Sequence, residues 1–101
     1  MLGKPVKPMA GNCEAAARVL KLLAHPRRLQ ILCRLAAGEQ RVRELEQSCG
    51  ASQSQVSQFL GRMKSEGLLA SRRDGNFVAY RIEDPQVLRL IRALHGIFGP
   101  R

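Results

Sequence analysis

The chain has 101 residues, 45% of them hydrophobic but only 4% aromatic and none Trp, so one domain with a core of Leu, Ile, Val and Ala is expected. Seventeen Lys and Arg against eight Asp and Glu give a formal net charge of +9, which favours a polyanionic partner, either nucleic acid or an anionic membrane surface. No apolar run reaches the length of a membrane span and no continuous apolar signal core opens the chain, so a cytoplasmic protein whose three cysteines are thiols is expected.

Residues 1–11 carry Gly3, Pro5, Pro8 and Gly11 with Lys4 and Lys7, the composition of a flexible basic arm ahead of a domain spanning residues 12–101. Asn12 is placed to cap a first helix, from Glu14 to Ala24, with an apolar stripe of Ala16, Val19, Leu20 and Leu23. His25-Pro26 breaks that stripe. Pro26 suits the first turn of a second helix, Pro26 to Ala37, whose apolar residues are Leu29, Ile31, Leu32 and Leu35 and which Gly38 ends. There is no internal repeat and no low-complexity segment.

Residues 42–68 read as a short helix, a tight turn at Gly50 and a longer helix. Ser52 with Gln55 forms a Ser-x-x-Gln capping box that starts the longer helix. Val56, Phe59, Leu60 and Met63 recur at helical spacing and face inward. The outward face holds Ser54, Gln55, Ser57, Gln58 and Arg62, where an ordinary solvated helix carries Glu and Lys. Hydroxyls and amides both donate and accept, as the base edges of the major groove require. Gly67 ends the helix. The stretch is therefore a helix-turn-helix with a reader helix, and Ser52, Gln53, Ser54, Gln55, Ser57, Gln58 and Arg62 are its candidate DNA-binding residues.

Beyond it, Asp74-Gly75 is a hairpin signal between two strand-like runs, and Val78, Tyr80 and Ile82 alternate with one face inward. Arg72, Arg73 and Asn76 cluster at or near the tip, so the hairpin reads as a wing that reaches phosphates or the minor groove. Residues 84–98 form the last helix, with Asp84 as cap and Pro85 first. Its Val87, Leu88, Leu90, Ile91, Leu94, Ile97 and Phe98 cover more circumference than one stripe, which points to a second copy of the chain. Val19, Leu88, Ile91, Leu94 and Phe98 are the candidate dimer interface. The fold class is mainly α with a small β-hairpin, a winged helix-turn-helix of about five helices and a two-stranded wing.

Other classes fit less well. A basic protein-interaction or membrane-surface module without sequence readout would spread its charge and lack the Ser/Gln face. An enzyme is not expected, since the chain has no Gly-rich phosphate loop, no evident acid pair and no His paired with Ser or Cys. Nothing calls for a cofactor.

In this order of elements the chain resembles the ArsR/SmtB family of bacterial winged-helix repressors over residues 14–98. The resemblance rests on Leu23-Ala24-His25-Pro26-Arg27-Arg28-Leu29-Gln30-Ile31-Leu32, on residues 52–60, on Glu66-Gly67-Leu68-Leu69, and on Asp74-Gly75 with Tyr80-Arg81-Ile82. It implies a homodimer that binds operator DNA and releases it when an inducer is sensed. Metal-sensing members carry Cys-x-Cys on the helix before the reader or Asp/His sets on the last helix. Here Val42–Gln47 has no Cys and the last helix offers only Asp84 and His95, so no metal site is expected and a metal ion is the alternative inducer. Ile31-Leu32-Cys33 resembles the sulfur- and redox-sensing branch of the BigR and SqrR type. That branch pairs this Cys with one near the end of the last helix, where His95–Pro100 has none. Cys33, with Cys13 as substitute partner, is the candidate thiol sensor; Cys49 lies in the turn before the reader, and Cys33 also fits a small buried hydrophobe.

Overall fold

Three helices begin in the same way, with a side chain accepting from a backbone N–H that the helix leaves unpaired. In the computed structural model, which describes residues 12–100, His25 Nδ1 accepts from Arg27 N–H at 3.1 Å, Ser52 Oγ from Gln55 N–H at 3.2 Å, and Asp84 Oδ1 from Gln86 N–H at 2.8 Å. Gln55 Oε1 returns the contact to Ser52 N–H at 3.3 Å, completing the expected capping box. Asn12 occupies the cap position of the first helix, but its side chain makes no capping bond; only its carbonyl engages, accepting from Ala16 N–H at 2.9 Å. The basic arm assigned to residues 1–11 lies outside the described residues.

The described elements run α1 (Cys13–Leu23), α2 (Pro26–Ala36), β1 (Gln40–Arg41), α3 (Val42–Ser48), α4 (Gln53–Ser65), β2 (Leu69–Asp74), β3 (Phe77–Ile82) and α5 (Pro85–Phe98). Gly67 follows α4 at φ +83°, its N–H donates to Lys64 O and the Leu68 N–H to Met63 O, the left-handed helix ending that glycine tolerates.

Ile31 and Leu32 of α2 are fully buried and meet Leu45, Val56, Leu60, Met63, Val87 and Ile91 in one core. Each helix contributes apolar residues, and the expected inward set of α4 is inside, with Phe59 half-buried. Ile91 corrects the expected dimer interface. It is fully buried in its own protomer, under α2, so its side chain is core and does not reach a partner.

The wing is also larger than expected. β1 adds to it, giving an antiparallel sheet of order β1-β3-β2 with Gln40 opposite Tyr80, Arg41 opposite Ala79, and β2 paired to β3 from Leu69–Ile82 out to Asp74–Phe77. The inward face is shorter than the Val78, Tyr80, Ile82 alternation implied. Tyr80 and Ile82 pack against the core, whereas Val78 is 38% exposed because the distal hairpin extends past it. On the opposite face Ala79 is buried.

Candidate nucleic-acid interface

With Val56, Leu60 and Met63 turned into the core, helical geometry leaves Ser54, Gln55, Ser57, Gln58 and Arg62 outside, and all five are exposed, as are Ser52 and Gln53. Ser52 and Gln55 are occupied with each other in the capping box. Among the described residues nothing hydrogen-bonds to the side chains of Gln53, Ser54, Ser57 or Gln58, so a row of neutral donors and acceptors stands open along one helix face. Ser52, Gln53, Ser54, Ser57 and Gln58 together line a shallow concavity.

The helix is held from beneath by the His25-Pro26-Arg27-Arg28 stretch, whose positioning role sequence reasoning missed. The Phe59 ring lies 4.8 Å from the His25 ring, tilted by 54°, and 5.2 Å from the Arg28 guanidinium carbon. Arg28 Nη1 donates to Leu22 O at 2.9 Å, and Arg27 Nη1 donates to Cys49 O at 3.1 Å in the turn. Gly50, in that turn at φ +62°, lies so close that a Cβ there would meet Arg27 Nη1 at 3.3 Å. At the far end Lys64 Nζ donates to Ser71 Oγ at 2.8 Å, joining α4 to β2.

In the wing, Arg73 and Asn76 are exposed, with Asn76 beside Gly75 in the loop. Arg72 is held within the protomer. Its Nε and Nη2 donate to the two carboxylate oxygens of Glu39, each at 2.7 Å. That guanidinium holds the Glu39 carboxyl below the usual glutamate range, and Glu39 in turn raises Arg72 above the usual arginine value, each through the hydrogen bonds they share. Arg41, also unforeseen, pairs with Asp74 at 3.0 Å and lies 4.3 Å from the centre of the Phe77 ring.

Cys33 is half-buried and faces an open cavity of about 920 Å³ between α2 and the end of α5, whose lining includes Leu29, Arg34, Leu94, His95 and Phe98. Burial pushes the Cys33 thiol above its usual range. No α1 residue lines that cavity, and Cys13 sits exposed at the start of α1. Cys49 is 1% exposed, its Sγ 3.7 Å from Ser48 Oγ, which closes it to oxidants from solvent. Among the described residues no three of His, Cys, Asp and Glu gather where a metal ion could sit, and no helix is long and apolar enough to cross a membrane. Of the expected interface residues, Val19, Leu88 and Leu94 are half-buried and Phe98 is 81% exposed.

The sequence model of the bacterial regulatory protein arsR family matches residues 25–71. The biofilm growth-associated repressor of Agrobacterium fabrum is 39% identical over 93% of this chain and 80% of its own length. The chain belongs to the arsR family. Solved members share its fold throughout: reduced HlyU from Vibrio cholerae superposes with a TM-score of 0.85 at 36% identity, covering 91% of this chain and 97% of that one. The transcriptional repressor BigR from Xylella fastidiosa gives 0.84 at 36% identity, covering 92% and 95%. This arsR-family chain is thus a winged helix-turn-helix DNA-binding transcriptional regulator of the BigR-like branch, and its relatives are named as regulators rather than enzymes.

Proposed function

We propose that the protein is a dimeric repressor that lays α4 in the major groove of its operator. Ser54, Ser57 and Gln58 read base edges, Gln53 and Arg62 flank them, and Ser52 and Gln55 fix the helix start. Arg73 and Asn76 of the wing meet the backbone or minor groove, with Arg72 adding its positive charge beside them from within its pair with Glu39. α1 and α5 pair two protomers through Val19, Leu88, Leu94 and Phe98. The observation that carries this reading is the open row of unpartnered hydroxyls and amides on α4. Competition titrations test it. Ser54→Ala combined with Gln58→Ala is expected to lower the preference for operator over random duplex by about 1–3 kcal/mol per lost base contact. An unchanged preference would remove α4 as the reader.

Inducer sensing is assigned to the cavity that Cys33 faces. A thiol-reactive or sulfur species acts there by modifying Cys33 alone, because the second cysteine of the sulfur- and redox-sensing branch is absent from residues 95–100. The raised thiol pKa favours a second reading, in which Cys33 is a packing residue and the inducer acts elsewhere. Mass spectrometry after polysulfide or peroxide treatment, with DNA affinity measured in parallel, separates them. Release of DNA that tracks Cys33 modification supports the first; constant affinity with Cys33 modified, or release retained in Cys33→Ala, supports the second.

A further inference from the structure

Two ion pairs lie side by side across the outer face of the wing. Glu39 accepts from Arg72 at 2.7 Å through both carboxylate oxygens, and Arg41 donates from Nε to Asp74 Oδ2 at 3.0 Å. Glu39 and Arg41 belong to the β1 edge, Arg72 and Asp74 to β2, and the order β1-β3-β2 places β3 between them, so each pair spans a strand. Arg41, Ala79 and Arg72 form one row of the sheet, and directly opposed residues share a face. Both pairs therefore pass over the face that carries Ala79. Ala79 is 2% exposed while Phe77 and Arg81, its neighbours on that face, are exposed. A small residue buried on the outer face of a surface hairpin is what two crossing side-chain pairs produce.

The charges are arranged to hold one register. β1 and β2 run in the same direction, both antiparallel to β3, with Glu-x-Arg on one edge and Arg-x-Asp on the other. A slip of two residues would set Glu39 against Asp74. Arg41 is further fixed by the Phe77 ring beneath its guanidinium and by Glu44, whose Oε1 accepts the Arg41 N–H at 2.9 Å in the first turn of α3. An exposed ion pair adds little stability. Two parallel pairs on a three-residue segment instead restrict geometry, and that segment leads directly into α3 and the helix-turn-helix.

We propose that Glu39 and Arg41 are positioning residues for DNA binding, strapping the wing across Ala79 and fixing its angle to the reader helix. This rests on the reading above that the wing contacts DNA. It opposes a simple charge account, in which acids near DNA only weaken binding and their removal tightens it. The test uses the full chain and a duplex enriched from random sequence by the wild-type protein. Arg41→Glu, Asp74→Arg and the double swap are titrated with that duplex, and amide hydrogen exchange is followed at Arg41 and Ala79 without DNA. Each single variant is expected to weaken binding at least about five-fold, Asp74→Arg included although it adds positive charge, and to speed exchange. The double swap is expected to restore both, because the pair is rebuilt with its signs exchanged. Asp74→Asn serves where a single variant fails to fold; the strap predicts looser binding and the charge account tighter. Tighter binding by Asp74→Arg or Asp74→Asn, unchanged exchange in the single variants, or a double swap that does not restore binding would overturn the strap. Arg73→Ala, outside both pairs, probes the wing contact alone. If it and the single variants all leave binding unchanged while exchange still quickens, the wing contact itself fails, and the DNA-positioning role with it.

Discussion

Phe59 shows how one side chain can serve both core and site. Its ring closes the core of α4 on one side and carries His25 and Arg28 on the other, so the proposed reader helix rests on the start of α2. Phe59→Ala is expected to cost about 3 kcal/mol, the lower end for losing a packed Phe because the ring is only half-buried. Denaturant midpoints would record that loss, and an unchanged midpoint would refute the clamp. Cys33 gives a pH prediction with a definite sign. Burial raises its pKa in the folded protein, so the neutral thiol is favoured, and that contribution to stability is complete below the unfolded value and lost as pH rises through the folded one. Alkylation with iodoacetamide should accordingly be slower for Cys33 than for a small free thiol at neutral pH, with the gap closing in alkaline solution. Equal rates near pH 7 would mean that the thiolate is already present.

At the scale of elements, local rules were legible in the sequence and long-range partners were not. The Ser52–Gln55 box, Pro26, Asp84 and Gly67 act within a few residues of themselves, and each lies where its side chain or backbone freedom dictates. The α4 stripe was readable because a thirteen-residue helix repeats its period several times. β1 was not, since two residues show no alternation and pairing with β3 decides the strand. The pairing of Arg72 was not legible because Glu39 stands 33 positions away. Ile91 looked like interface because periodicity marks apolar positions without telling a protomer's core from a partner's. The wing carries its own prediction. Arg73→Ala should weaken binding to all duplexes alike and lower the salt slope of log K by about 0.9, one phosphate contact, in titrations across salt concentration. A slope equal to that of the wild type would take Arg73 off the backbone.

For the whole molecule, the exposed apolar end of α5 sets the scale of assembly. Ile97 is 71% and Phe98 81% exposed, beyond what a small protomer needs to leave in water. Phe98→Glu leaves the core untouched and puts a charge at the proposed contact, so it should turn dimers into folded monomers. Sedimentation at micromolar concentration with circular dichroism checks this; a dimer that survives the substitution would move the interface elsewhere. The proposed two-fold pair would also set two copies of α4 at a fixed spacing, which would make the operator's symmetry a consequence of the protein's own. The most direct measurement is therefore selection of bound duplexes from random DNA at fixed, near-physiological salt, followed by sequencing. Enrichment of an inverted repeat with half-sites about 10–10.5 base pairs apart, or a multiple of that, is the expected result. A bound pool as random as the input, despite tight salt-dependent binding, would contradict sequence reading by α4.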